Sequence, residues 1–87
     1  MEDNLFNIIN DFGNSFAIQD WSILVSGMEY YFTRTYDKNI YKGEFKLIYE
    51  NSKRRMVFEN VTVYDGKKLQ YFAKIITTDN VNKIYYF

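Results

Sequence analysis

Three side chains in the middle of the chain have types and spacing compatible with metal-dependent catalysis. Asp37 is followed by Glu44 and Lys46, and residues two apart on a strand share a face, so Glu44 and Lys46 would lie side by side. Carboxylates with a neighbouring lysine hold a divalent metal in some nucleases. The same alternation also produces cross-strand ion pairs on any exposed strand. We favour this second interpretation and predict a protein without catalytic residues, not an enzyme.

The composition removes several other classes of chemistry. The chain has no cysteine and no histidine, which excludes disulfides, thiol chemistry, Cys/His zinc sites and a catalytic triad with a histidine base. Its four glycines stand far apart and form no phosphate-binding loop. We therefore expect neither a metal nor a cofactor.

Aromatic residues interleaved with lysines raise the alternative of a small single-stranded nucleic-acid-binding β-domain. Rings on a sheet can stack on bases while lysines neutralise phosphates. The candidate stacking platform consists of Tyr30, Tyr41, Phe45, Tyr71 and Tyr85. The bases are dispersed, however, and the calculated pI of about 6.2 lies far below that of a typical nucleic-acid-binding module. This alternative therefore ranks second.

Apolar periodicity predicts one helix followed by strands. Leu5, Ile8, Ile9 and Phe12 have helical spacing, and after residue 20 the period falls to two. The predicted fold class is α+β: an N-terminal amphipathic helix packed on a five- or six-stranded antiparallel β-meander, with a half-barrel as an option. A single domain, 1–87, would contain a helix at about 4–12 and strands at about 21–26, 29–36, 40–50, 54–64, 67–78 and 81–87.

Alternation assigns side chains to the two faces of the sheet. The inward sets are Tyr41, Gly43, Phe45, Leu47 and Tyr49 in one strand, and Leu69, Tyr71, Ala73 and Ile75 in another. In the strand between them, Met56 and Phe58 have one parity and Val61 and Val63 the other. One extra residue reverses the faces of a strand, so this pattern predicts a β-bulge near Glu59–Asn60.

The predicted helix is too small for the sheet that it must cover. Nine residues give a helix roughly 13 Å long, whereas five or six strands span about 24–29 Å. Apolar side chains occur on both faces of the predicted sheet, and the helix can cover only part of one face. The apolar surface that remains suggests an interface. The final strand is the predicted edge, where unpaired backbone groups invite another strand. The predicted interaction residues are Arg54, Arg55, Tyr85, Tyr86 and Phe87.

Charge is unevenly distributed along a chain that is neutral overall. Residues 1–33 carry five acids and no base, whereas residues 34–87 carry six acids and all eleven bases. Such asymmetry steers a charged partner. We expect a small non-enzymatic protein-interaction module, an inhibitor or accessory factor of phage or mobile-element type, that forms a homodimer through its edge strand or binds another protein. The acidic start and the lack of a long apolar run predict no membrane segment and a cytoplasmic protein of a bacterium or a phage-infected host.

Overall fold

A computed structural model describes residues 17–50 and 54–86 of the chain. They form one antiparallel sheet of five strands: β1 (Glu29–Arg34), β2 (Ile40–Glu50), β3 (Arg54–Tyr64), β4 (Leu69–Thr78) and β5 (Val81–Tyr86). A short 3₁₀ helix, Trp21–Ile23, precedes them. Neither described range contains a helix long and apolar enough to cross a membrane.

The predicted α+β class is wrong, because the described part of the chain is almost entirely β and its sole helical element has three residues. The helix predicted at 4–12 lies outside the described residues. The strand predicted at 21–26 is also wrong. There the Asp20 carboxylate accepts hydrogen bonds from the backbone N–H and hydroxyl of Ser22, at 3.0 and 2.7 Å, and such local bonds favour a capped turn over a strand.

The strand order β4-β3-β2-β1-β5 corrects the predicted meander. β5 pairs with β1, with Phe32 opposite Ile84, rather than with β4. Only two residues join Thr78 to Val81, and three Cα–Cα steps reach at most about 11 Å. A flat sheet would separate its edges by about 19 Å. The sheet therefore curls until β4 and β5 approach each other at this end, where Thr35 N–H donates to the Asn80 carbonyl at 2.8 Å.

An aromatic cluster fills the concave face of the curled sheet. The Phe32 ring stacks on those of Phe58 and Tyr41, with centroids 4.2 and 5.2 Å apart. Met56, Val61 and Ile84 complete this core and are fully buried. The predicted antiparallel sheet and its aromatic-rich interior are confirmed.

The predicted bulge in β3 is also confirmed. The β2–β3 register shifts between Lys42 and Glu44, and Asn60 has a positive φ of 52°. The extra residue turns Val61 and Val63 toward the same interior as Phe58.

A second register shift, between Phe45 and Leu47, overturns part of the predicted face assignment. It reverses the alternation in β2, so Ile48 packs against the core whereas Leu47 and Tyr49 are exposed. In β4 the inward assignment of Leu69, Tyr71 and Ile75 is likewise wrong, because all three are exposed. Ile76, from the other parity, packs on the core instead.

Candidate functional site: an exposed sheet edge

The two edges of the sheet differ in how far they are covered. At the β5 edge, Ala17 forms an isolated bridge with Tyr85, and Ile18 N–H donates to the Ile84 carbonyl at 2.6 Å. At the other edge β4 pairs with β3, and no other strand among the described residues pairs with it. β5 is an edge strand, as predicted, but Ala17 and Ile18 cover part of it. β4 is the edge that no other described strand covers.

Four large side chains of β4, Leu69, Tyr71, Phe72 and Ile75, are exposed, and we call them the β4 surface. Tyr71 is 67% exposed and Ile75 is 55% exposed. They are exposed because β4 is the last strand in the order, so β3 covers one side only. Contiguous exposed apolar residues on a small protein mark interaction sites.

The β4 surface extends onto both faces of the sheet. The register shift between Val61 and Thr62 makes Phe72 an extra residue in β4. Its ring meets the Tyr41 ring edge-on, with centroids 5.3 Å apart, so Phe72 lies toward the concave face. Ile75 lies opposite Glu59 on the outer face. A partner at this edge would contact apolar groups above and below its backbone.

Lysines border the β4 surface. Lys67, Lys68 and Lys74 are all exposed, and residues 66–78 include no carboxylate. The neighbouring Asp65 carboxylate accepts the backbone N–H groups of Lys67 and Lys68, at 2.9 and 3.2 Å. These hydrogen bonds lower the pKa of Asp65. This ionised acid belongs to the β3–β4 turn, and the three lysines outnumber it at the border of the edge.

The catalytic candidates form an ion-pair group instead of a joint site with Asp37. Lys46 Nζ lies 2.8 Å from Glu44 Oε2 and 3.4 Å from Glu59 Oε1, and the hydrogen bond with Glu44 raises the pKa of Lys46. The Asp37 carboxylate is engaged elsewhere: it accepts the Tyr41 hydroxyl at 2.7 Å and Asn39 N–H at 3.1 Å. Within the described ranges no three potential ligands form a metal-binding cluster.

The predicted interaction residues whose side chains the structure describes, Arg55, Tyr85 and Tyr86, do not form one exposed surface. Tyr85 is buried with Ile40 and Tyr64, whereas Tyr86 is exposed. Arg55 is exposed opposite Tyr49, and the backbone of Arg54 pairs with Glu50. The Arg54 side chain and Phe87 lie outside what the structure describes.

Tyr86 lines a second apolar feature, a groove of about 440 Å³ at the start of β1. Ile23, Val25 and Met28 line it as well, together with Glu29. The Tyr30 hydroxyl accepts Val25 N–H at 3.0 Å and fixes the wall of the groove. This groove serves as a comparison site. Its exposed side chains are apolar like those of the β4 surface, but the charged residue that lines it is the acid Glu29 rather than a lysine.

Four of the five rings of the predicted stacking platform are buried, namely Tyr30, Tyr41, Phe45 and Tyr85. Only Tyr71 among them is exposed. The residues that sequence reasoning missed are Leu69, Phe72 and Ile75. The signal for these residues was that apolar side chains occur at both odd and even positions of β4. The strand order, which makes β4 an edge strand, could not be read from the sequence.

Comparison of the chain with protein-family models, curated proteins and solved structures gives no match.

Proposed function

We propose that the protein is a non-enzymatic protein-interaction module, an inhibitor or accessory factor, that binds its partner through the β4 surface. The observation that carries this proposal is an edge strand with four large exposed apolar side chains and no pairing strand among the described residues. An added strand would satisfy backbone groups of β4 while its side chains cover the apolar ones. Removing each half-exposed side chain from water contributes about 1 kcal/mol.

A random peptide library displayed on phage tests this proposal without assuming a partner. We expect wild-type protein to select binding peptides and the Ile75→Ser variant to lose them. Val25→Ser is the matched control, because Val25 in the groove is also 55% exposed. Peptides that still bind Ile75→Ser but not Val25→Ser would move the site to the groove and contradict the proposal.

The second candidate function is binding of single-stranded nucleic acid. Tyr71 and Phe72 are exposed beside Lys74, and aromatic rings near lysines are the elements of such sites. Fluorescence anisotropy with labelled oligonucleotides at two salt concentrations tests it. Binding that weakens steeply with salt and requires Tyr71 would favour this function. No binding at low salt would eliminate it.

A further inference from the structure

We propose that the partner of the β4 surface is an acidic, apolar peptide segment that pairs with β4 as an antiparallel sixth strand. This inference rests on the proposed function and specifies the chemistry of the partner. It follows from the accessible length of β4, its charge, and the order of its side chains.

The accessible part of the edge is the segment of β4 from Leu69 to Ile75. Near Thr78 the curl of the sheet brings β4 toward β5, and Thr78 is buried. The segment from Leu69 to Ile75 is exposed except for the half-buried Ala73. Seven residues of strand extend about 24 Å, which is enough for one short peptide strand.

Charge selects an acidic segment over a second copy of β4. Two copies paired through this edge would bring six lysines together, because each contributes Lys67, Lys68 and Lys74. Like charges that face each other across strands are destabilising. Asp65 is engaged in its own turn, and Asp79 lies at the end where β4 meets β5. Carboxylates of a different chain are therefore the groups that fit this edge.

The order of side chains along β4 sets the pattern of the partner. Tyr71 and Ile75 lie on the outer face and take apolar residues of the peptide opposite them. Lys74 is exposed and adjoins Ile75, so it takes a carboxylate one residue along the peptide. Lys67 and Lys68 take two further carboxylates where the peptide reaches the β3–β4 turn. The nine-residue peptide VETVITVEE has this pattern when it runs antiparallel to β4.

Fluorescence anisotropy with labelled peptides and the full chain tests the charge requirement. We expect VETVITVEE to bind at least tenfold more tightly than the charge-inverted peptide VKTVITVKK. In the Lys74→Glu variant, the ratio of the affinities for the two peptides should fall at least threefold, because the substitution replaces an attraction with a repulsion. Lys38→Glu makes the same charge change at an exposed position outside β4 and should leave the preference unchanged.

Backbone pairing is tested separately with VETVITVEE N-methylated at alternate residues, which removes donors without changing side chains. Loss of binding supports strand addition, whereas retained binding overturns it. Equal binding of VETVITVEE and VKTVITVKK also overturns the inference. A dimer in sedimentation that the Ile75→Ser substitution dissociates would overturn it as well, because a second copy of the chain would then occupy the β4 surface.

Failure of this inference differs from failure of the proposed function. Library peptides that need Ile75 but carry no carboxylates would leave the function standing and eliminate the acidic partner. A library that yields no peptide requiring Ile75 would eliminate both.

Discussion

At the residue scale, Tyr41 connects the aromatic interior to the turn between β1 and β2. Its ring stacks on Phe32 at 5.2 Å and lies 5.3 Å from the Arg34 guanidinium, while its hydroxyl donates to Asp37. Apolar packing and one charge-assisted hydrogen bond therefore converge on a single buried side chain.

We predict that Tyr41→Phe lowers the free energy of unfolding by about 1–2 kcal/mol. The substitution keeps the ring contacts but removes a hydrogen bond to a carboxylate. Urea denaturation measures the change. Tyr36→Phe is the control, because Tyr36 is exposed and also places its ring near Arg34. Equal stability losses in both variants would contradict the assigned role of the Asp37 bond.

Buried phenols predict sensitivity to alkali. Burial raises the pKa of Tyr41 and Tyr85, and burial with the nearby Glu29 charge raises that of Tyr31, from the usual 10.0. A pKa that is higher in the folded state gives stability that is complete below pH 10.0 and lost as pH rises through the folded-state values. We expect the free energy of unfolding to fall steeply above pH 10.

Urea denaturation across this range, followed by tyrosinate absorbance, measures the alkaline loss of stability. Tyr85→Phe should make the fall shallower, because it removes one buried phenol. Tyr71→Phe, at an exposed position, is the comparison. A fall of the same slope in the two variants would show that burial of Tyr85 is not its cause.

At the element scale, irregularities in the strands decide which side chains face the core. The Asn60 bulge was readable from sequence, because apolar residues of opposite parity stand on either side of it. The shift near Lys46 was not read: alternation from Tyr41 to Leu47 favoured a regular strand and only Ile48 departed from it. Leu47 and Tyr49 are nevertheless exposed. Tertiary pairing with β3 overrode the local pattern there.

We predict that Asn60→Gly is tolerated or mildly stabilising, whereas Asn60→Val lowers the free energy of unfolding by about 1–2 kcal/mol. Asn60 has a positive φ, which glycine adopts readily and β-branched residues resist. Thermal unfolding of the two variants measures the difference. Asn82→Val is the matched control, since Asn82 is an exposed strand residue without a positive φ; equal losses at 60 and 82 would argue against backbone strain.

At the scale of the whole molecule, the strand order was the part that sequence could not supply. The short turns between β2, β3 and β4 imply neighbouring strands, and those pairings are present. The equally short turn at Asp79–Asn80 implies a β4–β5 hairpin, but β5 crosses to β1. There Ile84 of β5 joins Phe32 and Phe58 in the buried core, which covers the apolar face of β5. The predicted edge, β5, is an edge strand, but without this order β4 could not be recognised as the other one.

The pairing of Phe32 with Ile84 also sets an order of events during folding. This ladder closes a loop that contains β2, β3 and β4, and the entropy of closure is lost before the contacts form. We expect the β2–β3 hairpin to appear early in refolding and the β1–β5 ladder to appear last. Pulsed hydrogen exchange should protect amides of β3 before that of Tyr85, which pairs with Tyr31 of β1, and simultaneous protection would contradict this sequence.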